Sequence, residues 1–280
     1  MATPADLPPS WRDHLDRSAE VPHVPGPDEP AYYVPIGAFQ GDLYRRNAFA
    51  AHTVVEVDAL VARLAVRTSQ TVVDIGCGDG RHLRELASRG VDGVGVDVST
   101  ELIAAARAAA AELDGDGVGD LRFVVGDARD LGRVDGPPGP SDGVPRGTAD
   151  VAWSLCQGGF GTSPVSDPAI LAGLAACVRA GGWVVLTAFH AVFAARHLVD
   201  GDAFDPVHLT HHQRAEVRGP DDSRATFDLW TAAYTVRDLV RLAGDAGLQV
   251  VDIVGCEPGR YDGTGVALDD PELLLIARRP

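Results

Sequence analysis

The chain has 280 residues, which bounds it to one large domain or two small ones, and its 45% hydrophobic content excludes a wholly disordered protein. Acidic residues outnumber basic ones 40 to 24, for a formal net charge of -16, and no residue is lysine. A Walker A lysine, a Schiff-base lysine and a Ser–Lys catalytic pair are therefore excluded, and the charge balance argues against a general nucleic-acid or anionic-membrane binder.

Residues 1–30 carry seven prolines with scattered charges and read as a poorly ordered arm. The remainder, 31–280, reads as one domain. Its first part, 31–67, holds an aromatic-bearing segment with an arginine pair (Arg45, Arg46), then a helical pattern from Val54 to Leu64, and is expected to act as an N-terminal lid. From there strands and helices alternate. Thr71–Ile75, Gly93–Asp97, Leu121–Val125, Asp150–Leu155 and Trp183–Thr187 read as strands, with helices at 81–89, 101–113 and 169–178. That rhythm indicates βαβ units and a mostly parallel sheet with helices on both faces. A Gly/Pro-rich stretch, 132–147, interrupts it as a loop. Residues 190–233 break the rhythm and read as an insertion; Arg214 to Thr235 reads as two antiparallel strands around Gly219-Pro220-Asp221-Asp222. A helix at 236–246 and two hydrophobic runs, 250–254 and 272–277, close the chain. The four cysteines form no CxxC pair, the first residues lack a signal-peptide pattern, and no apolar run reaches the roughly 20 residues that span a bilayer, so a reducing, cytoplasmic setting is expected. The oligomeric state stays open.

Chemistry concentrates in Val73-Asp74-Ile75-Gly76-Cys77-Gly78-Asp79-Gly80-Arg81, where a strand gives way to a helix. Three glycines at alternate positions are expected to bring backbone amides close to a ligand. A GxGxxG dinucleotide fingerprint needs a third glycine at position 81, where Arg81 stands, and a carboxylate at Asp74 suits a cationic ligand better than a pyrophosphate. Asp97 ends the next strand, where a carboxylate takes ribose hydroxyls, and Asp127 ends the third, where it can accept from an exocyclic amine. A glycine loop and two carboxylates on successive strand ends fit an adenosine with a cationic, amino-acid-like tail, which describes S-adenosylmethionine.

With these residues the chain resembles the class I S-adenosylmethionine-dependent methyltransferases. The resemblance implies a Rossmann-like sheet of seven strands, the last antiparallel, and S-adenosylmethionine as cofactor. It implies that Asp74, Gly76, Cys77, Gly78 and Gly80 hold the methionine part, Asp97 and Val98 the ribose, Asp127 and Ala128 the adenine, and that Ser154, Leu155 and Cys156 line the transferring methyl. The expected reaction is direct in-line transfer to an O, N or C nucleophile of a small molecule. The insertion 190–233, with 31–52 and 156–166, is expected to shape the acceptor pocket. A non-catalytic S-adenosylmethionine-binding regulator and an aminopropyl-type transferase are the alternatives. The second is disfavoured by the uncharged run Ser154–Phe160, and a second cavity beside the methyl position would favour an enzyme over a binder.

Other constellations read as structural. His208, His211 and His212 lack a metal-binding frame, and Asp200, Asp202 and Asp205 lack the glycine and glutamate of a calcium loop, so no metal is expected. Cys156 has no preceding proline, as cytosine-attacking relatives have, and an Asn/Asp-Pro-Pro-Tyr motif is absent, which argues against DNA bases as substrates. His190 or His212 could serve as a general base; no catalytic residue is assigned.

Overall fold

A computed structural model describes residues 33–40, 43, 51–131 and 143–280. The proline-rich arm, part of the expected lid and most of the Gly/Pro-rich loop lie outside the described residues. In chain order the main elements are α1 (Tyr33–Gln40), α2 (Thr53–Leu64), β1 (Thr71–Ile75), α3 (Arg81–Ala87), β2 (Asp92–Asp97), α4 (Thr100–Ala110), β3 (Leu121–Val125), β4 (Ala149–Ser154), α5 (Asp167–Cys177) and β5 (Val178–His190). There follow α6 (Ala191–Arg196), β6 (Ala203–Asp205), β7 (Thr210–Arg218), β8 (Arg224–Tyr234), α7 (Val236–Asp245), β9 (Gln249–Cys256) and β10 (Glu272–Arg278).

Strands β3-β2-β1-β4-β5 pair in parallel, and β10 lies antiparallel between β5 and β9. This is the Rossmann-like architecture expected from the alternating pattern. The strands are apolar on both faces because both are covered, and alternate residues feed two cores. Val73, Ile75 and Ala152 pack with Leu171 and Leu174 of α5 and Leu239 of α7. Val72, Val151 and Trp153 pack with Val57 and Leu60 of α2, Leu83 of α3 and Ile103 of α4. Local signals fix the helix starts: the Ser99 side chain accepts from the Leu102 amide, and Thr235 and Asp238 form a reciprocal capping box at α7. Helix α3 stops at Ala87, two residues before the expected end, and the chain turns at Gly90, where φ is +76°.

The insertion contains the expected hairpin, β7 and β8, in continuous antiparallel register from Thr210↔Ala232 to Arg218↔Arg224. Sequence reading began this hairpin four residues late and missed β6, which adds a third strand through Ala203↔His212. The three-stranded unit joins the main sheet where β8 pairs with the last two residues of β5. There β5 runs beyond its pairing with β4, which ends at Leu186, while β10 holds the opposite side. The insertion thus stands beside the carboxyl ends of the parallel strands. Helix α1 bridges two parts of this edge: Phe39 meets Phe227 at 5.6 Å between ring centroids, Gln40 Nε2 donates to the Arg218 carbonyl, and Gly37 lies against Ser99 and Leu102.

Candidate active site

Asp74 is the fourth residue of β1, placed at the carboxyl edge by an otherwise apolar strand. It is 2% exposed, and its Oδ2 has no hydrogen-bond partner. Burial pushes its carboxyl up to about 7, against the opposing pull of the Trp153 indole and the Arg81 charge. Gly76, Gly78 and Gly80 all have positive φ, at +75°, +55° and +73°. Their freedom serves a purpose other than the one expected from sequence. The Gly76 and Cys77 amides both donate to the Val96 carbonyl, Gly78 donates to Asp97 Oδ2 at 2.8 Å, and Gly80 donates to the Cys77 carbonyl. These four amides are spent on the turn itself and are not free for a ligand. The glycines instead permit close backbone approach. A Cβ on Gly76 would fall 2.0 Å from the Gly158 backbone, and one on Gly80 would fall 2.5 Å from the Phe123 ring.

A cavity of about 120 Å³ opens between this turn and the turn after β4. Of the residues singled out from sequence, Asp74, Gly76, Cys77, Gly78, Leu155 and Cys156 line it. Gln157 and Gly158, from the stretch 156–166 expected to shape the acceptor pocket, line it too, as do Asp79, Arg81, His82, Pro258 and Glu272, which were not expected to. Gly80 packs on Phe123, away from the cavity, and the Cys77 thiol lies in the core against Gly95. Ser154 is fully buried, and its hydroxyl accepts from the Phe160 amide. Asp97 lies just outside the cavity, 8% exposed, with Oδ1 accepting from Ser99 and Oδ2 from Gly78. Val98 is 45% exposed on the same edge. Asp127 and Ala128 stand farther along it, and the Asp127 carboxylate is held by the Arg129 guanidinium at 2.5 Å.

Behind the cavity lies a polar network that sequence reading missed. Glu56 of α2, fully buried, accepts from Arg81 at 2.7 Å and from the Gly259 amide, and lies 2.8 Å from His82 Nε2. Although burial opposes it, the His82 and Arg81 contacts hold its carboxyl down at about 2. Arg81 also donates to Thr53 Oγ1 and to Cys156 Sγ. The Cys156 thiol contacts the Tyr261 hydroxyl at 3.3 Å, and burial pushes the thiol up to about 12. It is therefore protonated at neutral pH and no nucleophile. Cys156 and Gln157 both adopt left-handed backbone, with φ of +53° and +54°, held by the Cys156 amide donating to Thr187 Oγ1.

The histidines of the insertion each face an aspartate: His208 Nδ1 meets Asp205 at 2.6 Å, His211 Nε2 meets Asp202 at 2.9 Å, and His212 Nε2 meets Asp228 at 2.8 Å. His190 is buried, and its Nδ1 donates to the Asp270 carbonyl, which fixes Nε2 as the acceptor in the neutral ring.

An unpartnered buried carboxylate, a glycine turn that admits no Cβ and a second carboxylate on the neighbouring strand fit the cationic donor inferred from sequence. A family model described as a methyltransferase domain matches residues 72–182, spanning β1 to the start of β5. No curated protein sequence matches the chain. Among solved structures, the CcbJ methyltransferase from Streptomyces caelestis superposes with a TM-score of 0.67 at 18% identity, covering 90% of this chain and 99% of its own. Magnesium protoporphyrin IX methyltransferase from Synechocystis PCC 6803, solved with bound S-adenosylmethionine, gives 0.54 at 16% identity, covering 91% and 100%. The glycopeptide N-methyltransferase MtfA, in complex with the same cofactor, gives 0.55 at 18%, covering 83% and 96%. At such identities the likeness speaks for the fold; the family match speaks for the domain. Residues 72–182 thus match a methyltransferase domain, and the chain around them has the fold of these solved methyltransferases.

Proposed function

We propose that this chain is an S-adenosylmethionine-dependent methyltransferase that acts on a small molecule, by direct in-line transfer to a nucleophile held beside the turn after β4. The observation that carries this reading is the cavity at the carboxyl edge. Its lining extends from the Asp74–Gly78 turn to Cys156 and Gln157 after β4 and to Glu272 at the start of β10. A mere binder needs no such extension. At about 120 Å³ it is smaller than the roughly 300–1,000 Å³ typical of a whole ligand pocket, which suits the inner end of a longer site. Asp97 and Asp127 mark the outer part of that site.

In this reading Asp74 faces the donor's ammonium, the Gly76–Gly78 turn admits its methionine part, Asp97 with Val98 takes the ribose, and Asp127 with Ala128 takes the adenine. Asp127 would share its carboxylate with Arg129. The donor supplies a methyl already activated by positive sulfur. The chain's own work is to align the nucleophile and exclude water, for which the strained Cys156-Gln157 turn forms one wall. Helix α1, between α4 and the β7–β8 hairpin, acts as the lid. The net charge of -16 and the lack of lysine support a small acceptor over a nucleic acid. The four cysteines are free, which suits a reducing compartment. Among the described residues no helix is long and apolar enough to cross a membrane.

Incubating the protein with metabolite extracts and methyl-labelled S-adenosylmethionine should place label in a low-molecular-weight product. Label confined to added nucleic acid or protein would overturn the assignment.

A further inference from the structure

In a parallel sheet the ligand edge lies at strand ends, but β10 runs the other way, so its first residue lies there. That residue is Glu272, between Phe189 of β5 and Cys256 of β9. It is 5% exposed, lines the cavity, and its Oε2 has no hydrogen-bond partner. Gln157 adjoins it, 5% exposed; its side-chain amide favours the Glu272 carboxylate against burial, although Nε2 completes no hydrogen bond. A buried carboxylate is costly unless paired.

Among the described residues no cation pairs with Glu272: Arg260, which acts on the neighbouring Cys256, is bound to Glu257 and Asp270. The groups around it are Glu56 from α2, Glu257 after β9, Cys156 from the β4 turn, Cys256 from β9 and Tyr261, all acidic or neutral. Arg81, the cation lining the same cavity, is bound to Glu56, Thr53 and Cys156. Asp74 meets the donor's cationic end from the opposite side. The missing counter-charge of Glu272 therefore comes with the second substrate, and an alcohol or carboxylic acid brings none.

We propose that the methyl acceptor is an amine, and that Glu272 binds its ammonium form and takes its proton before transfer. The inference rests on the methyltransferase reading and names its acceptor class. The ammonium gives one proton to the Glu272 carboxylate, leaving a neutral amine and a carboxylic acid. The nitrogen lone pair then forms the new C–N bond as the C–S bond breaks, with its electron pair passing to sulfur. The products are the N-methylated ammonium and a neutral thioether, and Glu272 later releases its proton to solvent. Burial raises the Glu272 carboxyl to about 7, which suits exchange of a proton near neutrality.

The test uses the full chain saturated with S-adenosylhomocysteine, titrated with primary amines from methylamine to hexylamine and with benzylamine, each beside its matched alcohol. At least one amine should bind ten or more times tighter than its alcohol. Glu272→Gln, which removes the charge and keeps the shape, should abolish that preference and leave S-adenosylmethionine affinity within about twofold. Turnover of the preferred amine should fall by about 100-fold or more, the scale of a lost proton acceptor. No amine preference in the natural protein, which needs no variant to measure, overturns the inference. So does a preference that survives in Glu272→Gln. If instead the natural protein fails to bind S-adenosylmethionine, the methyltransferase reading falls first and this inference falls with it.

Discussion

Asp97 accepts the Gly78 amide on one oxygen and the Ser99 amide on the other, so one carboxylate ties the glycine turn to the start of α4. Each oxygen keeps a second acceptor position, which is what a ribose diol requires. Replacing it in Asp97→Ala removes both the proposed ribose contact and the strap on Gly78. S-adenosylmethionine affinity should drop by about 1.5–3 kcal/mol, roughly 10- to 150-fold, the range for hydrogen bonds to a charged group. Calorimetry giving an unchanged Kd would remove Asp97 from the site. Gly158 makes a second case at this scale. A Cβ there would lie 2.1 Å from the Gly76 carbonyl oxygen, so the two turns that bound the cavity touch through glycines on both sides. Its neighbour Gln157 has a left-handed backbone without being glycine, a strain that only the packed turn can hold.

Among the elements, the strands and the first glycine turn were legible because their signals are local: apolar runs, a turn tetrapeptide, carboxylates at strand ends. What sequence reading missed depends on pairings across the chain. Glu56, Arg81 and His82 meet from two helices, and nothing in α2 marks its buried glutamate as the partner of a residue 25 positions away. Glu272 had a signal that went unused: an antiparallel last strand must start at the ligand edge, so the polar residue opening that apolar run was a site candidate. Strand β6, three residues in an acidic loop, gave no periodic signal at all. The expected lid rests on α1, whose Ile36 is 7% exposed and whose Phe39 and Gln40 engage the β7–β8 hairpin. A chain lacking residues 1–30 should keep its activity. One lacking residues 1–52 should lose turnover while far-UV circular dichroism and melting report a folded sheet, because α2 and its Glu56 anchor remain. Full activity in the shorter chain would reduce α1 to packing.

For the whole molecule, the balance of buried acids sets an unusual response to pH. Burial holds Asp74, Asp167 and Glu272 up near 7, far above their unfolded values, whereas Glu56 is held down at about 2. A carboxyl whose folded pKa is raised binds its proton more tightly in the folded state, so its contribution favours folding at low pH. That contribution is lost as pH climbs from about 4 towards 7, at up to about 1.4 kcal/mol per pH unit for each group. Glu56 acts in the opposite sense, but its contribution is complete above about 4.5 and is lost only towards 2, outside the window. Buried His82, whose pKa is lowered, opposes the three carboxyls below its unfolded value of about 6.5, so the cleanest measure is a difference between proteins. Two of the three carboxyls, Asp74 and Glu272, line the cavity, and Asp167 lies elsewhere, bonded to Tyr234 and the Gly161 amide. The double variant Asp74→Asn, Glu272→Gln should therefore gain stability relative to the natural protein as pH rises from 5.5 to 8, read as a widening gap in Tm. S-adenosylmethionine should narrow the gap by stabilising the natural protein most at the upper end, where Asp74 is ionised and meets its ammonium. A gap that stays constant across this range would mean that neither cavity carboxyl is held protonated by burial.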